Sequence, residues 1–449
     1  VLDEDFEYAS FMMSRMGHAG VTCLDCHNPH SGKLVAPAEN NALCMQCHTP
    51  PGLNGATPID PVAHSFHTPG TPGGRCVDCH MPVHFYMVRD GRRDHGFTSP
   101  DPLLTIEHGI PNACTMCHQD QTAEWAHEKT TAWYGDKMNR RARDRARVVA
   151  RAHAGDPDVA PDLLVLAASE DIAAWRAALN SLLAPAAHLA TVAAHLDADL
   201  THSNPMVRAA ATRALVNRPD VRAAHPSLAN DDSALVRLDA AWAAPALFMT
   251  TPSNLREIQA YLANISDQPP GALRQAQHAV NQNDLPAAET WATKALAWDP
   301  TPVPHYALGR IQHLRGNVVG AVSNLAAAAN ADRANAEYSY ALALFYAENQ
   351  RTDLALPWLE ETVRRDHAFG RAWYNLGLAY AQTERLDEAI KALTEAETHL
   401  ASSPDPAYAR ATVHARRQEI AEARAAATRA LAINPTHRPS RQLLQSLDR

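Results

Sequence analysis

Beyond Asp136 the apolar positions, mostly Ala and Leu with Arg between them, recur at the spacing of an amphipathic helix. Asp-Pro, Asn-Pro and other Pro-containing turns break the runs. This part is expected to be almost entirely α-helical. From Val1 to about Tyr134 the texture differs: Pro, Gly, Cys and His are frequent and long amphipathic patterns are few, so side chains alone cannot build a conventional core there. The predicted fold is mainly α, with a loop-rich N-terminal module followed by an all-α helical-repeat solenoid. A chain of 449 residues calls for two or three folded units. The expected divisions are 1–135, 136–268 and 269–449.

Two internal repeats separate the helical parts. Trp175-Arg176, Val207-Arg208 and Val236-Arg237 each precede small residues, at spacings of 32 and 29. Over roughly 136–268 this resembles the second helix of HEAT-like pairs, although Ala-rich amphipathic helices also pack as ordinary bundles. Farther on, Ala288, Ala321, Ala355, Ala389 and Ala423 recur at spacings of 33, 34, 34 and 34, which is the tetratricopeptide period. The best copy reads Trp373-Tyr374-Asn375-Leu376-Gly377, then Tyr380, Ala389, Leu393 and Ala396; another carries Leu308-Gly309, Ala321, Leu325 and Ala328. About five repeats are expected, with Gly377 and Ala389 as packing positions where helices approach closely. Such a stack offers a docking surface for a protein or peptide, or serves as a spacer or self-association arm.

Composition narrows the function. A formal net charge of -9 argues against nucleic acid, which draws affinity from surplus Lys and Arg. No stretch has the apolar length of a membrane helix. The chain opens on the acidic Val1-Leu2-Asp3-Glu4-Asp5, with neither Met nor a signal-peptide pattern, and is expected to be processed or trimmed.

All eight cysteines and half of the 24 histidines fall before residue 128. Four segments are CxxCH: Cys23-Leu24-Asp25-Cys26-His27, Cys44-Met45-Gln46-Cys47-His48, Cys76-Val77-Asp78-Cys79-His80 and Cys114-Thr115-Met116-Cys117-His118. This is the c-type heme attachment signature: the two thiols add to the vinyl groups of one heme and the His reaches its iron. A four-Cys zinc site would suit the spacing of the first two motifs, but Cys79 and Cys114 lie too far apart and zinc gives no reason for the repeated His. A dithiol redox motif fails on the same His. Four covalently attached hemes c are therefore expected, and as large apolar bodies they would replace the missing core.

Each iron needs a second axial ligand, and His18, His30, His64, His67, His84, His95, His108 and His127 are uncommitted. His30, only three residues after His27, cannot wrap round to the far face of its own heme and is the first candidate to ligate a neighbouring one. His64 and His67, three apart, would share a side of one helical turn and supply two irons. The fourth ligand is open among His84, His95 and His108. Met12, Met13, Met16 and Met87 offer thioethers that would raise the potential.

With Gly20-Val21-Thr22 before the first motif, Asn28-Pro29-His30-Ser31 after it, Met81-Pro82 after the third, Asp94-His95, and Pro111-Asn112-Ala113 before the fourth, residues 6–134 resemble multiheme c-type cytochromes of the doubled-CxxCH kind that carry C-terminal tetratricopeptide repeats. The resemblance favours His95 as the fourth ligand and implies bis-His hemes in a closely stacked chain, exported to the periplasm or cell exterior. Members of this family often carry further heme sites upstream. The covalent cofactor by itself also implies a site outside the cytoplasm. Related folds include enzymes acting on nitrite or hydroxylamine, but all four motifs end in His and none in Lys. Extracytoplasmic electron transfer is the expected function, with redox proteins as partners and self-assembly, up to a filament, as a further form. No membrane span and no nucleic acid are expected. The run Arg140–Arg147 reads as a solvated helix face or as partners for heme propionates. Trp125, Trp133 and Tyr134 read as cover for a heme edge or the domain junction.

Overall fold

The computed structural model describes residues 6–53, 55–86, 90–216, 225–243 and 252–447. They form two compact units, Val1–Leu255 and Arg256–Arg449. Helices dominate both, and the described strands are one antiparallel pair, Val83–Tyr86 with Asp90–Arg93.

The first unit begins with short helical turns and loops. Among the described apolar residues of 6–134 the buried ones are Val77, Pro102, Leu104, Ala113 and Ala126, while Leu24, Leu53, Val62, Phe66 and Phe85 stand exposed. From Ala160 the same unit has a conventional core built on Leu163, Leu179, Leu183, Leu196 and Leu215. The helices Ala173–Leu183, Pro205–Ala214 and Ala234–Ala243 pack successively on one another. Ala209, Ala210 and Ala211 are fully buried, which small side chains permit at a close helix contact. An ionic ladder accompanies the stack: Arg176 grips Asp199 at 2.6 Å and Arg208 grips Asp231 at 2.7 Å, each Arg reaching 23 residues ahead.

The basic run does not face solvent as a whole. On the helix Arg141–His153, Arg143 makes two hydrogen bonds to Asp101 (2.7 and 2.9 Å) and Arg147 two to Glu107 (2.7 and 2.6 Å). Arg145 bonds the buried Glu170 at 2.9 Å and lies 3.9 Å from the centre of the Trp175 ring, whose indole N–H donates to the Met13 carbonyl. Carboxylates of the CxxCH segment and of the following helices thus hold the guanidinium groups from both sides. The bidentate geometry favours Arg over Lys at these positions.

The second unit is a series of helical pairs: Pro269–Asn281 with Leu285–Trp298, Pro302–Leu314 with Val318–Ala331, Ala336–Glu348 with Thr352–Arg365, Gly370–Gln382 with Leu386–His399, and Asp405–Arg416 with Ile420–Ile433, then Arg438–Leu447. Ala288, Ala321, Ala355, Ala389 and Ala423 are all at 0% exposure, so the sequence period is a packing period. The turns within the pairs repeat as well, with positive φ at Asn283, Gly316, Gln350, Glu384 and Gln418. A Cβ on Gly377 would sit 2.6 Å from Leu393 Cγ, closer than packed carbons come. Gly377→Ala is expected to destabilise the repeat unit by about 1–3 kcal/mol through overpacking, read as a lowered thermal midpoint with the heme spectrum unchanged.

Candidate heme-binding site

Each CxxCH lies on a short helical turn: Cys23–Cys26 followed by His27, Ala42–His48, Cys76–His80, and Ala113–Cys117 followed by His118. Local caps set these turns. Asp25 accepts from the Thr22 backbone N–H at 2.7 Å, and Asn112 accepts from those of Cys114 and Thr115 at 3.0 and 3.2 Å. Buried Asn41 joins two motifs, since its amide donates to the Gly74 carbonyl (2.9 Å) and its side-chain oxygen accepts from Cys76 N–H (2.8 Å). Arg93, ending the strand pair, donates to the carbonyls of Val77 and Met81 and to Asp78, fixing the third motif to the hairpin.

Three of the motif imidazoles are oriented by carbonyl oxygens: Nδ1 of His27 lies 2.9 Å from Gly32 O, that of His48 2.8 Å from Thr57 O, and that of His80 2.9 Å from Thr98 O. A carbonyl can only accept, so Nδ1 carries the proton and Nε2 keeps the lone pair a metal needs. His67 and His95 are held the same way, by Ser65 O at 2.6 Å and Arg93 O at 2.9 Å.

These rings come together in pairs. His27 and His95 have ring centroids 6.3 Å apart, His80 and His64 6.1 Å, and His118 and His67 6.2 Å. Two imidazoles on opposite sides of one metal, each with a bond of about 2 Å and a ring radius of roughly 1 Å, have centroids about 6 Å apart. The residues present therefore fit three irons, each held between two imidazoles. Burial, its largest cause, holds His64 and His80 below the ordinary His pKa range; Arg140 and Lys137 add to this at His64, while the Thr98 hydrogen bond opposes it at His80. The lowering favours the neutral imidazole, whose lone pair is free for a metal.

His64 and His67 do not share a helical turn. The helix Pro61–Ser65, capped by Asp60, stops at Phe66 with φ 55°, and the left-handed residue sends the two rings to different motifs. The helix Ala123–Tyr134 clamps this corner: Trp133 stacks on Phe66 at 4.8 Å, Tyr134 OH donates to His64 O at 2.8 Å, and Trp125 lies 4.9 Å from His118. His95 is steadied by Phe97, which meets Phe11 of the helix Phe6–Met12 at 6.2 Å.

Among the described residues no ring stands at this separation from His48 or from His30, which is exposed on an Asn28-capped turn. His18, His84 and His108 are exposed too. Met87 lies outside the described residues. Sequence reasoning missed Asn41 and Gly73, because neither carries ligand chemistry and both act through backbone geometry.

The thiols follow the order of the motifs. Cys26 is raised above the usual thiol range by burial, with Asp25 and then Cys47 adding to it. Cys44 shares a hydrogen bond with Cys76 that raises the former and lowers the latter to about 7. Cys79 is pushed up to about 11 by burial, and then by Cys114 among others. First, second, third and fourth motifs are thus successive neighbours. No three metal-ligating atoms of the cysteines cluster among the described residues, so a four-Cys zinc site finds no support.

A family model described as the doubled CXXCH motif matches residues 17–52, and a tetratricopeptide-repeat model matches residues 370–399. No curated protein matches the chain. Similar solved structures include YrrB, described as a TPR protein with an unusual peptide-binding site (20% identity, 42% of this chain and 97% of that one, TM-score 0.36). They also include MamA from Desulfovibrio magneticus RS-1 (21%, 38% and 98%, TM-score 0.35) and TTC0263, a TPR protein from Thermus thermophilus (22%, 40% and 98%, TM-score 0.30). The chain joins a doubled CXXCH segment, which marks covalently bound c-type heme, to tetratricopeptide repeats, which mark protein–protein interaction.

Gly73 has φ +86°, and a Cβ there would lie 2.6 Å from His67 Cδ2 and 2.9 Å from its Nε2. Gly73→Ala is expected to push His67 away from His118 without loss of covalent heme. Low-temperature EPR of the heme-loaded protein should show a new high-spin signal where the parent shows low-spin iron.

Proposed function

We propose that this protein is an extracytoplasmic electron-transfer cytochrome with four hemes c held in motif order within residues 1–135, followed by a HEAT-like scaffold (136–268) and a tetratricopeptide arm (269–449). The observation that carries this reading is the set of three imidazole pairs with ring separations of 6.1 to 6.3 Å. When bound, heme c supplies one-electron exchange at iron. The chain's own residues do the rest. Cys23 and Cys26, Cys44 and Cys47, Cys76 and Cys79, and Cys114 and Cys117 would tether the hemes, and His27, His48, His80 and His118 would each offer an imidazole to the iron. His95, His64 and His67 would supply the second imidazole at the first, third and fourth sites. His30 is assigned to the second, a reading supported by the closeness of Cys26 to Cys47. Trp125, Trp133 and Tyr134 shield the third and fourth sites from water.

Two imidazoles at the first, third and fourth sites would leave no position for substrate there, which favours carriage of electrons over conversion of a small molecule. The CXXCH signature for covalent heme supports a location in the periplasm or outside the cell. No described helix is long and apolar enough to cross a membrane. The repeat arm docks a redox partner or further copies of the chain, a filament being the extended form.

A second reading, reduction or oxidation of a small nitrogen compound, is favoured at one place only, the second site, where among the described residues His48 has no facing ring. The pyridine hemochrome assay should give four hemes per chain, and EPR of the oxidised protein should show low-spin iron unmoved by nitrite or hydroxylamine. A high-spin signal that shifts with either compound would overturn the carrier reading. His30→Ala is expected to convert about one iron in four to high spin; an unchanged spectrum would remove His30 from the second site.

A further inference from the structure

Outside the CxxCH segment, one other set of ligand-type side chains converges among the described residues. His367 lies in the turn between the helices Thr352–Arg365 and Gly370–Gln382, while Glu395 and His399 are one turn apart at the C-terminal end of Leu386–His399. The ligand atoms of all three lie within 4.8 Å of one another. His367 Nε2 is 3.5 Å and His399 Nε2 3.9 Å from Glu395 Oε2, and the two rings stand 5.6 Å apart at 86°.

We propose that His367, Glu395 and His399 form a zinc site within the tetratricopeptide unit, with a fourth position open to water or to a side chain of a docked protein. Tetrahedral zinc with bonds of about 2.0–2.1 Å holds its ligand atoms roughly 3.4 Å apart, close to the separations from the carboxylate to both imidazoles. Two neutral imidazoles and one carboxylate are a borderline set that suits zinc better than magnesium or calcium, which prefer oxygen. The C-terminal end of a helix, where carbonyls point outward, favours a cation.

The turn is built to hold its ligand. Trp373 donates its indole N–H to the His367 carbonyl at 2.8 Å and sets its ring edge-on to the imidazole at 5.2 Å. Asp366 accepts from the Ala368 N–H at 2.9 Å. Gly370 has no side chain where a Cβ would come within 2.9 Å of His399 Cβ, so the turn can lie against the helix end. Zinc there would staple the entry of one helical pair to its exit, and the open position gives the repeat arm a coordination bond to offer a partner carrying an exposed His or carboxylate.

The test is equilibrium dialysis of the full heme-loaded chain, stripped with chelator, against about 1 µM free Zn²⁺ (a level suited to a three-ligand surface site), with bound zinc measured by mass spectrometry. Wild type is expected to hold one more equivalent than Glu395→Gln or His367→Ala, and each variant should bind at this site at least tenfold more weakly. His367 is exposed, so its variant keeps the fold; circular dichroism and the heme spectrum should not change. Equal zinc in wild type and the His367→Ala variant would overturn the site.

Discussion

A carbonyl oxygen accepts hydrogen bonds and cannot donate them, and the N-terminal segment uses this asymmetry at five of its imidazoles. Carbonyls of Gly32, Thr57, Ser65, Thr98 and Arg93 each face the Nδ1 of an imidazole and leave its Nε2 as the only basic nitrogen. A side chain that could pair through either nitrogen is thereby given one tautomer and one direction. The loops between the motifs, which look irregular, owe their course to this task. They bring backbone oxygens to ring nitrogens and aromatic residues to ring edges.

The two kinds of architecture in the chain meet the demand for burial differently. In the CxxCH segment few side chains are buried, and order comes from short capped turns and polar ties such as Arg93 with Asp78. In the repeats, Ala and Leu bury one another between neighbouring helices. The helix Arg141–His153 mediates between these regimes in the first unit: its polar face ion-pairs with Asp101 and Glu107 on one side and Glu170 on the other. Isolated surface pairs contribute little, but Arg143 and Asp101 are mostly buried, and removing either would leave the other charge without a partner.

Local chemistry and strict periods were legible in the sequence. CxxCH declares itself because porphyrin attachment dictates both spacing and residue type, and the repeated alanines declare themselves because any larger side chain would separate the helices. What was hidden depends on a single backbone angle or on distant segments. The left-handed Phe66 separates His64 from His67, a consequence that spacing alone cannot carry. The partners of the arginine run come from 40 residues upstream and 25 downstream, so charge clustering alone suggested a solvated helix face while carboxylates distant in sequence make the contacts. His367 meets Glu395 and His399 only through the stacking of one helical pair, and no motif spans that interval.

The Asn41 tie between the second and third motifs bears on how such a protein can be made. One amide group spans the Gly74 carbonyl and the Cys76 N–H, so the two attachment turns are fastened together once the chain has folded. Cys44, Cys47, Cys76 and Cys79 are only partly exposed in the folded chain, so both thiols of a turn are less open there than on a separate segment. Chemistry that needs both thiols of a turn at once is therefore easier before the two turns are tied than after. Asn41 is then a latch between the second and third turns, and a single side-chain amide couples the folding of one to that of the other.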